Sequence, residues 1–229
     1  MERLILFDID GTILTTDGVA AGAFREALEE VFGTSGPREG YSFAGKTDPQ
    51  IARELLTSGE VAGDTLAERL HEVWASYLPR LAERLQEADI RLLPGIRTLV
   101  ERLHGAPNAV LGLLTGNLAE GARLKLTAAG LDFDDFAVGA FGSDHAERSR
   151  LPLIAIERAE ARYGHRFTGK SVVIIGDTPL DVACGEHLGV RTIAVATGSY
   201  SETQLAGCKP DHLFSSLADV DAVLRAIFD

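Results

Sequence analysis

The chain has 229 residues, 45% of them hydrophobic and 24% charged, which is enough apolar material for one large domain or a domain carrying an insert. A formal net charge of −12 works against general affinity for nucleic acid or an anionic membrane, so neither is an expected partner and an anionic ligand would need a local cation. No run of about eighteen consecutive apolar residues is present, which excludes a helical membrane span.

In chain order, the first element is the apolar run Leu4-Ile5-Leu6-Phe7. Its length and lack of polar alternation predict a strand buried on both faces of a parallel sheet. It ends in two carboxylates one residue apart, Asp8-Ile9-Asp10, followed by Gly11, which permits a sharp turn, and Thr12. Two anions at a strand end repel, and each disfavours the other's ionisation unless a cation lies between them. Taken alone, the pair also fits two turn-capping aspartates. The pattern is then helical for roughly eighty residues. Ala20, Phe24, Ala27, Leu28 and Val31 recur at helical spacing, and Gly33 sits where a C-terminal cap would. A Gly/Ser/Pro-rich loop from Gly33 to Gly40 follows. Asp48-Pro49 then supplies an N-cap and a proline at the first helical position, opening a helix through Leu56. From Asp64 to about Glu87 a long amphipathic segment carries Leu66, Leu70, Val73, Trp74, Tyr77, Leu78, Leu81 and Leu85 on one face.

Alternation of helix and strand resumes after Leu93-Pro94-Gly95. Expected helices are Ile96–His104, Leu118–Ala129, Leu151–Tyr163 and Asp181–Leu188, with a short one capped by Ser201 and Gln204 and a last one from about Ser216. Expected strands are Ala109–Leu114, Phe136–Val138, Ser171–Ile175, Arg191–Ala196 and an edge strand near His212–Phe214. This order predicts an α/β fold: a doubly wound parallel sheet, strand order 3-2-1-4-5, with helices on both faces. Residues 1–14 and 91–229 form the expected core. Residues 15–90 form an all-helical insert over the sheet's carboxyl edge, hinged near Thr15–Asp17 and Asp89–Leu93.

Two further strand ends carry chemistry. Thr115-Gly116-Asn117 places a hydroxyl, a glycine and a carboxamide at the opening of a helix, which suits an anion or a plain N-cap. Gly176-Asp177-Thr178-Pro179-Leu180-Asp181 again ends a strand in an acid, with a second acid four residues on. If the sheet doubles back after its third strand, Asp177 faces Asp8 and Asp10 across the switch point. Three converging carboxylates would make a hard-cation site of the kind Mg²⁺ uses.

At this point the chain resembles the haloacid dehalogenase superfamily of hydrolases, and among them the phosphatases with an inserted helical cap, phosphoglycolate phosphatase-like in kind. The resemblance covers the whole chain and rests on Asp8-Ile9-Asp10-Gly11-Thr12, Thr115-Gly116-Asn117 and Gly176-Asp177-Thr178-Pro179-Leu180-Asp181 in that order. It implies Asp8 as nucleophile, Asp10 as general acid and base, and Thr115 with Gly116 and Asn117 on the phosphoryl group. Mg²⁺ would be bound by Asp8, Asp177 and the backbone carbonyl of Asp10, with Asp181 kept in the ligand set. The acid at Asp10 favours phosphate esters, since dehalogenases and phosphonate-cleaving members lack it. Gly45-Lys46-Thr47-Asp48 resembles the substrate-facing loop of related caps, or is an ordinary capping loop, and makes Lys46 a substrate-binding candidate.

One departure is plain. The family's lysine before a helix is absent from Glu147-Arg148-Ser149-Arg150-Leu151-Pro152. Counting back from Gly164 gives Arg150 that place, while Arg148 takes it if the helix starts later; both are kept, with Lys170, Lys125 and Lys46 next in line. The expected activity is Mg²⁺-dependent hydrolysis of a small phosphorylated metabolite through an aspartyl-phosphate. A β-phosphoglucomutase-like phosphomutase and a non-catalytic binding protein are the alternatives. Trp74 and Tyr77 read as core of the insert, and the scattered histidines have no ligand spacing. Cys184 and Cys208 have none either; with Met1 followed at once by a charged pair and a strand, they point to a reducing cytoplasm. A monomer or homodimer is expected.

Overall fold

The computed structural model describes residues 2–37, 39–57 and 63–229, the last stretch without the side chains of 63–67, so Leu66 on the expected apolar face lies outside the described side chains. The first strand, β1 (Arg3–Phe7), is central in the sheet. Leu4 and Leu6 enter one apolar cluster while Ile5 and Phe7 enter another, which is why the run shows no polar alternation. A short strand β2 (Leu14–Thr15) leads to three helices, α1 (Val19–Phe32), α2 (Asp48–Thr57) and α3 (Gly63–Glu87). Gly33 ends α1 in a left-handed conformation, its N–H on Glu29. These helices share their own core, in which Phe24 packs edge-on against Tyr77. Where the sequence gives two hinge segments, β2 pairs antiparallel with β3 (Arg91–Leu92).

The remainder alternates as α4 (Ile96–His104), β4 (Ala109–Thr115), α5 (Ala119–Ala128), β5 (Val138–Phe141), α6 (Leu151–Tyr163), β6 (Val172–Gly176), α7 (Pro179–Cys184), β7 (Arg191–Val195), α8 (Glu202–Gly207), β8 (His212–Phe214) and α9 (Val220–Phe228). The parallel sheet runs β5-β4-β1-β6-β7-β8, so the expected five-strand order is present and β8 extends it to six. Three elements differ from expectation by more than one residue. The third sheet strand begins at Val138 because Asp132 caps a 3₁₀ turn over Phe133–Asp135 that occupies the preceding residues; Gly139 inside the strand weakened its signal. The helix expected from Asp181 to Leu188 starts at Pro179, capped by Thr178, and gives way after Cys184 to a 3₁₀ turn over Glu186–Leu188. The last helix starts four residues after Ser216, since Asp219 provides the cap, accepting from Ala222 N–H.

Pairing of β1 with β4 on one side and β6 on the other aligns Phe7 with both Leu113 and Ile175. The residues just beyond these three strand ends therefore meet at one sheet edge. The loop before α2 is seated on that edge: Asp48 N–H donates to Gly116 O at 2.8 Å, Leu118 N–H donates to Asp48 Oδ2 at 2.8 Å, and Thr47 Oγ1 donates to Ala146 O at 2.5 Å. Gly116 is required there, because a Cβ on it would lie 2.0 Å from Lys46 O. Among the described residues no helix is long and apolar enough to cross a membrane.

Candidate active site

Asp8, Asp177 and Asp181 are all buried, and one carboxylate oxygen from each lies within 4.8 Å of the others. Arg148, on a 3₁₀ turn at Arg148–Arg150 ahead of α6, reaches the same point. Its Nη2 stands 3.1 Å from Asp8 Oδ1, bonds to Asp181 Oδ1, and donates to Leu114 O at 3.2 Å. Its buried Nε has no hydrogen-bond partner among the described residues. Asp181 spends its other oxygen on the N–H and hydroxyl of Thr178, at 2.9 and 2.7 Å, so it both caps α7 and orients Arg148. Asp177 is held by Thr12 Oγ1 at 3.2 Å. Gly11 is obligatory beside it: its φ is +84°, and a Cβ would lie 2.4 Å from Asp177 Oδ2.

A second group adjoins the first. Asp10 is clasped by the Lys125 ammonium, with Nζ at 2.8 and 2.7 Å from its two oxygens, and by Asn117 Nδ2 at 2.8 Å. Lys125 also donates to Asn117 Oδ1 at 2.6 Å, and Asn117 Nδ2 reaches Thr115 Oγ1 at 2.7 Å. The Asp10 side chain thus faces Thr115 and Asn117 and stands outside the three-carboxylate group.

Burial pushes the Asp8 carboxyl up to about 6; Arg148 opposes the rise, while the charges of Asp181 and Asp10 add to it. Burial, followed by Asp181 and Asp8, pushes Asp177 up to about 8. The donors fit a small divalent cation: they are hard oxygens, and with all three carboxylates ionised one guanidinium leaves an excess of two negative charges for the ion to offset. Asp8 and Asp177 have the freer oxygens, whereas both oxygens of Asp181 already accept from the protein.

Both groups open into one cavity of about 590 Å³ between the sheet edge and the helical insert, lined among others by Thr115, Gly116, Lys46, Asp48 and Tyr77. Residues 5–195 match the family model for haloacid dehalogenase-like hydrolases. The chain belongs to that family. Across the curated proteins it is 25% identical to a "Probable phosphatase IndB" of Dickeya dadantii, over 99% of this chain and 95% of the other. It is 24% identical to a "Pyrophosphatase PpaX" of Listeria innocua, over 96% and 95%. Among solved structures, a predicted phosphoglycolate phosphatase from Haemophilus somnus superposes with a TM-score of 0.71 at 22% identity, covering 97% of this chain and 98% of that one. CbbY from Rhodobacter sphaeroides, in complex with phosphate, gives 0.73 at 20% identity, covering 96% of each. These likenesses show the shared fold.

Within this hydrolase the two arginines separate clearly. Arg148 is buried against Asp8, while Arg150 is exposed and its nearest acid is Glu147 at 3.7 Å. Lys46 lines the cavity but is tied to Glu54 at 2.5 Å, and Lys170 is bound to Asp211 at the amino ends of the strands, opposite the site. The sequence offers Lys125 only as one of three lysines next in line behind the two arginines. A signal was available, since Ala122, Lys125, Leu126 and Ala129 share a helical face that is otherwise apolar. Tyr77, read as core, is core on its ring and cavity wall as well. Asp48, read as a helix cap, is a buried carboxylate on the cavity.

Proposed function

We propose that this hydrolase cleaves a small phosphomonoester in two steps, with Mg²⁺ as cofactor. The observation that carries the reading is the convergence of Asp8, Asp177 and Asp181 on Arg148, with Asp10 in an adjoining hydrogen-bonded network. Asp8 and Asp177 would hold the ion, with the backbone carbonyl of Asp10. When bound, it neutralises the excess carboxylate charge and polarises the phosphoryl group.

In the first step an Asp8 oxygen attacks phosphorus, forming an aspartyl-phosphate while the ester P–O bond breaks. Asp10 relays a proton to the departing oxygen. In the second, water attacks phosphorus, Asp10 takes its proton, and the P–O bond to Asp8 breaks, releasing phosphate. Arg148 sets the charge on Asp8, and its guanidinium suits a phosphoryl oxygen. Thr115 and the Gly116 backbone complete the phosphoryl pocket. We assign residues 15–90 as the cap, whose seated loop excludes water from the reacting atoms. The phosphomutase alternative is not favoured over this reading: the likeness in fold to a putative β-phosphoglucomutase from Thermotoga maritima, at TM-score 0.62, is matched by that to the predicted phosphoglycolate phosphatase at 0.71. It demands a phospho-enzyme protected from water.

Screening phosphorylated metabolites with Mg²⁺ and measuring released phosphate tests the reading. Asp8→Asn is expected to abolish release while preserving the fold, and fluoroberyllate to place beryllium on Asp8. Substantial turnover by Asp8→Asn would overturn the mechanism.

A further inference from the structure

The leaving group must occupy the part of the cavity that faces the insert, and the charges there restrict its chemistry. Among the described residues three cations line the cavity, and each is already matched to a carboxylate of the protein: Arg148 to Asp8 and Asp181, Lys125 to Asp10, and Lys46 to Glu54. Lys46 is fixed further by lying 4.2 Å from the centre of the Tyr41 ring, and Glu54 by accepting from Tyr41 Oη at 2.9 Å and Gln50 Nε2 at 2.8 Å. These partners hold the Glu54 carboxyl below its ordinary value although burial opposes them, so it stays ionised and keeps Lys46 engaged.

Two polar groups on the same wall are unspent. Tyr77 is 1% exposed and lines the cavity, yet no described residue hydrogen-bonds its hydroxyl. Burial, with the charges of Asp48 and Asp10, raises its ionisation well above the ordinary range, so it remains a donor. Asp48 gives one oxygen to Leu118 N–H and has no described donor at the other. Neither atom is sealed from solvent: both face the cavity, and a ligand that displaces water there must replace its hydrogen bonds or lose affinity. A second anion on the leaving group would meet Asp48 and no free cation. An ammonium group could meet Asp48 but, having no lone pair, would leave the Tyr77 O–H without an acceptor.

We propose that the enzyme takes the phosphomonoester of an uncharged, hydroxyl-bearing alcohol, a polyol or sugar phosphate, whose hydroxyls are bound by Tyr77 Oη and the Asp48 carboxylate. This rests on the phosphatase reading above. A hydroxyl both donates and accepts, so it satisfies the carboxylate and the phenol together. It also adds no charge to a cavity in which every described cation is already matched.

The test compares initial phosphate release, with Mg²⁺, from glycerol 1-phosphate and ribose 5-phosphate against phosphoglycolate and pyrophosphate, and against phosphoethanolamine. The neutral esters should lead in kcat/KM by at least about tenfold. A lead by either anionic substrate or by phosphoethanolamine overturns the inference and leaves the phosphatase reading standing; no release from any ester overturns both. Tyr77→Phe keeps the ring packing and should shrink the ratio of ribose 5-phosphate to phenyl phosphate turnover about tenfold, the worth of one such bond. An unchanged ratio in folded variant, checked by its melting curve, would sink the assignment of Tyr77. Glu54→Gln frees Lys46 and should raise kcat/KM on phosphoglycolate several-fold; no rise would show that Lys46 does not govern leaving-group charge.

Discussion

Arg148 shares one guanidinium between Asp8 and Asp181 in a site that water scarcely reaches. Losing it leaves two buried carboxylates without a counter-charge, so Arg148→Ala should cut kcat by about 10²–10³ and lower stability by about 3–5 kcal/mol. Arg148→Lys should recover only part of the rate, since an ammonium cannot span both acids in the same way. Arg150→Ala removes an exposed side chain and should change turnover little. Steady-state kinetics and a melting curve on the three variants check this; comparable losses at both arginines would contradict it. Asp48 tells a different story in the same cavity. Burial, against the charge of Lys125 and the Leu118 N–H, pushes its carboxyl up to about 6. A raised carboxyl contributes stability when protonated, fully below about 4 and lost as pH rises through about 6. Asp48→Asn should therefore raise the melting temperature more at pH 7 than at pH 4, while lowering kcat/KM. A uniform shift at both pH values would refute the cause given.

At the scale of elements, the insert meets the sheet through the short stretch before α2. Its contact with Gly116 has no room to spare: a Cβ there would lie 2.0 Å from Lys46 O. Gly116→Ala should keep the sheet intact but lift the loop, breaking the bonds of Asp48 to Gly116 and Leu118. The expected result is a loss of kcat/KM by about 10²-fold, as misplacement by an ångström costs in such sites, with faster amide exchange at Asp48. Normal exchange and rate would show that the loop is seated by other contacts. The elements themselves were largely readable from the sequence. Glycines such as Gly33 and Gly164 ended α1 and α6, and the capping box of Ser201 and Gln204 opened α8. The third sheet strand was misplaced because Phe136, though apolar and buried, follows a 3₁₀ turn, while the strand holds a glycine.

For the molecule as a whole, the carboxylates at the sheet edge should make stability depend on pH and on a divalent ion together. Asp177, pushed up to about 8, contributes most when protonated and loses that contribution as pH rises through about 8. Without metal, the melting temperature should fall between pH 6 and 9. Mg²⁺ at about a hundred times its Kd should stabilise by about 2.7 kcal/mol, roughly 5–10 °C for a chain of this size. The gain should be larger at pH 8.5 than at pH 6, because protons and the ion compete for the same oxygens. Differential scanning at both pH values, with chelator and with Mg²⁺, checks the sign. An equal gain at both would place the ion elsewhere.

The sequence by itself determined the fold class, the strand ends that carry Asp8, Asp10, Thr115 and Asp177, and most helix limits. These follow from short-range rules: periodicity of burial, glycine conformations and capping side chains all act within a few residues. Only the tertiary structure decided that Arg148 and not Arg150 stands beside Asp8, that Lys125 holds Asp10 across 115 positions of chain, and that Lys46 is bound to Glu54. It alone placed the Tyr77 hydroxyl on the cavity, without a hydrogen-bond partner among the described residues. Which cation meets which acid depends on distances between residues remote in sequence. Those distances are set by how β1 packs between β4 and β6 and by where the loop before α2 comes to rest.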